Sequence, residues 1–355
     1  MGFSSASDDK TAASPFREAR AVETWDTWFR WREAGQLRDR TIEDTWQRVA
    51  SALTARAARP PHYKHSLVEA FAQWQLLLDE RLLMHAGTAA EPRGGDLHAA
   101  LNAASFVRTG VTGHAHFDQA RFEAVAALAV QALDDAAGPA ADAPGPPTCT
   151  RVGIIGLGDA LALLGIEYDS DAGRRQAADI AKALAQGSLA GSITLARERG
   201  AHARCGKAWH ARARQRGYRP DLVEAADAHG LRQGLHTAIT SQPRLALFAN
   251  AASDALDPAP AADPDEKSDA SGKSIPIPPH RSAPVGVTAQ LQLRAAIQPL
   301  IDEPIVYPLS IDHEPDASDI QAWKEHARRL DLAPPTWRFA MRQGISHPAT
   351  GARGA

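Results

Sequence analysis

The stretch 151–174, RVGIIGLGDALALLGIEYDSDAGR, holds the spacing most suggestive of cofactor chemistry. VGIIGLG reads as a strand running into a glycine turn, with Gly156, Gly158 and Asp159 opening a helix whose N-terminus could hold a pyrophosphate. Two features oppose a nicotinamide-dinucleotide site. Leu161 stands where a third glycine would let the helix pack tightly on the sheet. Gly165 interrupts the helix after about two turns, which is short for the crossover of a βαβ unit.

Other reactive side chains are sparser. His114 and His116 with Asp118 nearby offer two imidazoles and one carboxylate, too few for a metal site, and read as a solvated loop before a helix. Cys149 and Cys205 are the two cysteines, so a disulfide framework, a four-cysteine zinc site and a CxxC redox pair are all excluded. Arg204, Lys207 and His210 surround Cys205 and would lower a thiol pKa, yet no base or orienting group accompanies it. Arg197, Arg199, Arg204, Lys207, Arg212, Arg214 and Arg216 form a basic stretch that reads as a solvated face able to meet phosphates.

The elements that must position these residues are mostly helices. Residues 1–22 lack periodicity and read as a disordered tail, before an N-terminal helical region over 23–88. There Trp25, Trp28 and Trp31 fall three apart, as on one helix stripe. Thr41, with Asp44 in the first turn, starts a second helix that Pro60 and Pro61 stop. Residues 66–84 read as a third helix and 85–96 as a loop. Residues 101–107 read as a short strand or helical turn, 117–135 and 172–199 as long helices, and 221–229 as a short one. A connector at 136–150 lies inside the region 96–253, and a Pro/Asp/Ser linker follows at 254–284. Helices at 287–298 and 316–330 fall in a last region, 285–342, before a loose end at 343–355.

Of the 355 residues, roughly a fifth are Ala and only 6% are aromatic. The net charge of −3 argues against DNA or RNA binding by phosphate neutralisation. No apolar run approaches a membrane span, and MGFSSASDDK lacks a signal-peptide core, so the expected location is cytoplasmic.

The segment 151–174 resembles the end of the catalytic barrel of adenosylcobalamin-dependent (class II) ribonucleotide reductases, where RRIGLGxTGLxDALxxLGxxYDS leads into a helix ending LAxERGAF. The matching stretches here are GLGDALALLGIEYDSDAGR and SITLARERGAHA. Further similarities keep the family's order: TIEDTWQRVASAL, LLLDERLLMHAGT, DLHAALNAASFV, GLRQGLHTAITSQPRLALFANAASDALDP and QLQLRAAIQPLIDEPIVYPLS. The resemblance implies an α-rich α/β fold, a partial remnant of the reductase barrel with few short strands. It also implies adenosylcobalamin as cofactor and ribonucleoside-diphosphate reduction, hence deoxyribonucleotide synthesis, as ancestral activity.

The departures from the family pattern bear on function. A reductase of this family uses a thiyl-radical cysteine in an NPCGE-like loop and two further reducing cysteines. Only residues 89–95 stand where the block carrying that loop would be, and Gly95 replaces the redox cysteine expected there. The family's PTGT phosphate loop reads Ser241, Gln242, Pro243 and Arg244, losing the glycine turn and one backbone donor. The expectation is a catalytically silent relative with no catalytic residue and no metal site. It would bind a nucleotide, with Arg244 supplying charge at the old phosphate loop, or a protein partner such as a full-length reductase chain. An active reductase component and a Rossmann-type oxidoreductase are the alternatives.

Overall fold

Helix propensity and apolar spacing produce most of what the computed structural model contains. It describes residues 15–56, 60–90, 96–111, 113–137, 150–202, 205–234, 236–258 and 285–339. Of the expected linker at 254–284, residues 259–284 lie outside the described residues, while 254–258 are placed with Ala255, Leu256 and Asp257 buried; most of the connector at 136–150, the loose end at 343–355 and residues 1–14 of the tail also lie outside the described residues.

The chain starts earlier than the tail reading implied. Phe16 packs against Trp25, Trp74 and Phe248, and α1 spans Ala19–Thr24. The tryptophan stripe is also corrected. Trp25–Phe29 forms one π-turn, closed by Arg30 N–H donating to the Trp25 carbonyl at 2.9 Å. The wider turn buries Trp25 with Phe29 and leaves Trp28 48% exposed. A short hairpin of β1 (Arg32–Glu33) and β2 (Gln36–Leu37) leads to α2 (Ile42–Arg56), where the Asp44 carboxylate accepts from the backbone N–H of Arg40 and Thr41.

The expected helix over 66–84 is three elements. Helix α3 (Pro61–Ala72) ends before Trp74, which takes φ 55°, and β3 (Leu76–Leu78) follows as a fully buried strand. Helix α4 (Glu80–His85) then restarts with Asp79 as its N-cap. An apolar run this short does not distinguish a buried strand from a helix turn.

Strand β4 (Leu97–Asn102) and a hairpin of β5 (Val107–Thr109) and β6 (Ala115–Phe117) lead to α5 (Gln119–Ala137). Strand β7 (Thr150–Ile155), α6 (Leu157–Leu163) and α7 (Asp171–Arg199) follow. The central sheet has the order β3–β4–β7, antiparallel then parallel, with Ala99 opposite Val152 and Leu101 opposite Ile154. A parallel bridge from Val152 to Thr237 adds a fourth strand position.

Helices α5 and α7 pack on one sheet face. Ala126, Ala129, Ala181 and Ala183 are all fully buried there. A Cβ at Gly191 would lie 2.7 Å from the Ala127 carbonyl oxygen, so the glycine sets how closely α7 can approach α5. The high alanine content serves the same close approach, trading area per side chain for short helix–helix distance.

Helices α8 (Lys207–Gln215), α9 (Pro220–His229) and α10 (Pro243–Phe248) complete this body. The last region holds α11 (Val287–Ile297), β8 (Leu309–Ile311), α12 (Ala317–Arg329) and β9 (Trp337–Phe339). Asp316 and Asp319 form a reciprocal capping box on α12. The molecule is therefore helix-rich with few short strands, and no closed barrel forms among the described residues.

Candidate functional site

Side chains alternate across a strand, so β4 and β7 each present two faces. Ala99, Leu101, Val152 and Ile154 are buried. On the other face, His98, Ala100, Arg151 and Gly153 line a cleft of about 350 Å3 together with Ala238, Thr240, Gln242 and Glu303. Gly153 lets the neighbouring segment pack close, since a Cβ there would lie 2.5 Å from the Ala238 carbonyl oxygen.

Charged pairs rim this cleft. His98 Nδ1 lies 3.1 Å from Asp79 Oδ2, and His98 Nε2 lies 3.0 Å from Gln242 Oε1. Asp79 also receives Arg81 and two backbone N–H groups. Burial opposes its ionisation, yet the Arg81 hydrogen bond and the His98 charge hold it below the usual carboxylate range. Arg151 bridges Asp96, at 3.0 Å, and Glu303, and both carboxylates strengthen its hold on its proton.

The carboxyl ends of the same strands, where open α/β sheets usually take ligands, are sealed by the chain itself. Gly156 has φ 69° and donates its N–H to the Ser253 carbonyl at 2.8 Å. Asp159 is buried and accepts from the Ser253 N–H at 2.7 Å. A Cβ at Gly158 would lie 2.5 Å from Pro258 Cα. Gly156, Gly158 and Asp159 thus seat residues 253–258, and the space a pyrophosphate would need is filled. The seven-residue α6 does end at Leu163 before Gly165. This geometry removes the cradle required by the Rossmann-type alternative.

Residues 250–258 form a strap with unusual backbone. Asn250, Ala251 and Ala255 take φ 61°, 57° and 55°, in the left-handed region. For the two alanines this costs about 1–2 kcal/mol each. The strap is pinned at one end by Asn250, whose Oδ1 accepts from Arg17 N–H at 2.7 Å. At the other end, buried Asp257 receives Arg294 at 3.2 Å and the hydroxyls of Tyr168 and Tyr307. Burial pushes the Asp257 carboxyl up despite Arg294, and pushes both tyrosines up as well.

Between the pins, the Asp254 carboxylate occupies a ready-made anion site. It accepts from Ser241 Oγ at 2.5 Å, from the Gln242 N–H at 2.6 Å and from Arg338 Nη2 at 2.8 Å. Arg338 Nη1 also donates to Ser241 Oγ at 3.0 Å. Pro243 is in the first turn of α10, where its missing donor costs nothing. Arg244 does not face this site. Its guanidinium pairs with Glu80 and stacks over the exposed Trp28 ring at 4.0 Å, and the cation that faces Ser241 and Asp254 is Arg338.

The remaining expectations are placed as follows. His116 lies on β6 opposite Arg108, a strand rather than a loop, and Asp118 Oδ1 accepts from Arg121 N–H in the first turn of α5. No group of three potential metal ligands occurs among the described residues. Cys205 donates to the Ala226 carbonyl, and burial with nearby Asp227 pushes its thiol up, the reverse of the activation expected from its basic neighbours. Cys149 and Arg204 lie outside the described residues. The basic stretch is not one solvated face. Arg199 grips Asp134 and Asp135, and buried Arg216 pairs with Asp302 at 2.6 Å while donating to the carbonyls of Pro299 and Ile301.

Comparison with known proteins meets this geometry at the sheet. Residues 98–260 match the family described as ribonucleotide reductase, barrel domain. The chain is ribonucleotide reductase-like over that span. The match opens at His98 in β4 and closes just past the strap, so it covers the cleft and the Asp254 site except Arg338 and Glu303. A search of curated proteins found no match.

His98, Asp79, Arg151, Glu303, Asp254 and Arg338 were not singled out from sequence. The signal that could have found them is weak. His98 and Arg151 are polar residues at second positions of strands, but their carboxylate partners come from distant segments.

Proposed function

We propose that this ribonucleotide reductase-like chain is non-catalytic and binds a nucleoside phosphate in the cleft beside Ser241 and Gln242. The observation that carries the reading is the double use of Gln242. Its side chain closes the cleft through His98, while its backbone N–H joins Ser241 and Arg338 in an anion site. A ligand with an uncharged body and an anionic end matches that continuity: the cleft takes the body and the donors take the phosphate.

The non-catalytic part of the reading rests on thiols. Hydrogen abstraction from a ribose by a thiyl radical needs a cysteine in contact with the sugar, and turnover needs a second pair of thiols. Of the two cysteines, Cys149 lies outside the described residues, and Cys205 is turned toward the Ala226 carbonyl and packs with Leu189, Leu222 and Leu231, a cluster separate from the sheet core. Only the seven residues 89–95 stand where the resemblance places the block with the radical loop. The cleft of about 350 Å3 is sized for a nucleotide rather than for a corrinoid. Deoxyribonucleotide synthesis therefore describes the family rather than this chain.

The test is a thermal melt of the purified protein alone, with ADP, and with adenosylcobalamin. A ligand at 100 times its dissociation constant adds about 2.7 kcal/mol of stability. ADP is expected to raise the transition, and adenosylcobalamin to leave it unchanged. Deoxynucleotide formation with adenosylcobalamin and a dithiol would overturn the non-catalytic reading. A cooperative melt that no nucleotide shifts would overturn the nucleotide reading in favour of a protein partner, such as a full-length reductase chain.

A further inference from the structure

We infer that Asp254 is an internal competitor: its carboxylate fills the anion site of Ser241, Gln242 and Arg338, and a phosphate ligand binds only when residues 251–255 lift away. The inference rests on the nucleotide reading and adds to it a mechanism of regulation.

Three observations converge on this strap. The first is chemical. A hydroxyl, a backbone N–H and a guanidinium all converge on one carboxylate, contributed by a residue only 12 or 13 positions from Ser241 and Gln242. Such a donor set satisfies a phosphate oxygen as well as a carboxylate oxygen, so the two anions are mutually exclusive.

The second is mechanical. Asn250 and Ala251 at one end, and Ala255 at the other, take left-handed backbone angles on either side of Asp254. Those residues adjoin the pins, Asn250 on Arg17 and Asp257 on Arg294. The segment between them therefore holds strained backbone in place through its contacts, and releasing it relaxes the angles. Nothing so strained occurs in α5 or α7, which carry the body of the fold.

The third is positional. The same strap donates and accepts the backbone bonds that seal α6, through Ser253 to Asp159 and Gly156, and through Ala255 to Leu157. Lifting Asp254 thus frees the amide hydrogens of Gly156, Leu157 and Ser253, which gives the opening a signature independent of ligand affinity.

The apparent dissociation constant of a ligand that needs the open form equals the intrinsic constant divided by the open fraction. Asp254→Asn keeps the side chain's size and an acceptor for the Gln242 N–H, but removes the charge facing Arg338. Calorimetric titration with inorganic pyrophosphate is expected to show at least about tenfold tighter binding to D254N than to the wild type. Arg338→Ala added to D254N is expected to abolish that gain. Equal affinity in wild type and D254N, with binding retained, overturns the competitor role while leaving the nucleotide reading intact. Absence of both pyrophosphate and ADP binding in the two folded proteins overturns the nucleotide reading, and the inference with it. A second measurement needs only the wild type. Saturating pyrophosphate should accelerate hydrogen exchange at Gly156, Leu157 and Ser253, and unchanged exchange at these amides with ligand bound overturns the inference even if D254N does not fold.

Discussion

The two ends of the parallel strands β4 and β7 are held by different physics. At the carboxyl end, closure is by backbone and shape: Ser253 bonds Gly156 and Asp159, and Pro258 sits where a Cβ on Gly158 would be. At the amino end and along the open face, closure is by charge. Asp79, Asp96, Glu303 and Asp302 tie His98, Arg151, Arg216 and the backbone of His236 and Thr237. The contrast teaches that one sheet can be sealed against ligands at one end while remaining solvated at the other. It also means that the two ends fail under different insults, steric at the first and electrostatic at the second.

The sharpest way to break the electrostatic end is Asp302→Ala. Asp302 is the partner of buried Arg216 and also accepts from three donors on His236 and Thr237. Removing it strands a buried guanidinium, and the expected loss is about 3–5 kcal/mol, read as a lower urea midpoint. Loss under 1 kcal/mol would mean that this end is not held by charge.

At the shape-sealed end, Gly158→Ala is expected to cost about 1–3 kcal/mol, because the new methyl meets strap backbone that has no flexible end to swing aside. Gly165→Ala supplies the control. Unlike Gly158, it has a positive φ, 70°, and a Cβ there meets nothing within 4 Å, so only the backbone penalty of about 1 kcal/mol applies. If Gly158→Ala costs well under about 1 kcal/mol, steric closure by the strap is not what holds this end.

Acidification should separate the ends with a smaller, graded effect. His236 is buried, both ring nitrogens lack a hydrogen-bond partner, and burial lowers its pKa below the ordinary 6.5 despite Asp302. The unfolded chain therefore binds more protons below pH 6.5, and stability falls as pH drops through that value. Asp302 adds a second loss. Burial opposes its ionisation, but the charges of His236 and Arg216 hold it below 3.8, so its contribution is present above 3.8 and disappears as pH falls further. Hydrogen exchange measured between pH 7 and pH 5, corrected for intrinsic rates, should show protection lost first around Thr237 and not at Gly156. Simultaneous loss at both would erase the distinction.

Much of the helical frame was legible in the sequence because α2, α5, α7, α11 and α12 are long enough for their periodicity and caps to speak. What misled were short apolar or aromatic runs. Leu76, Leu77 and Leu78 satisfy a strand and a helix equally, and the three tryptophans assume 3.6 residues per turn where a π-turn intervenes. The glycines at 156 and 158 were visible as special, but not that the chain's own strap explains them. Arg244 attracted attention by standing in the motif, whereas Arg338, 84 positions from Asp254, is the cation that faces it. Pairings between segments so far apart leave no local pattern in one sequence, so the candidate site was less legible than the elements that carry it.

The pin at Asn250 has a consequence for how the chain is made. Arg17 and Pro15 bond a residue about 235 positions later, and Phe16 packs on Phe248. During synthesis at about 5–20 residues per second, the segment around Phe16 waits on the order of ten seconds or more for its partners to be polymerised. Until then the Phe16 ring can meet Trp25 and Trp74 but not Phe248, so the aromatic cluster at the N-terminal end is completed only when the strap has been made.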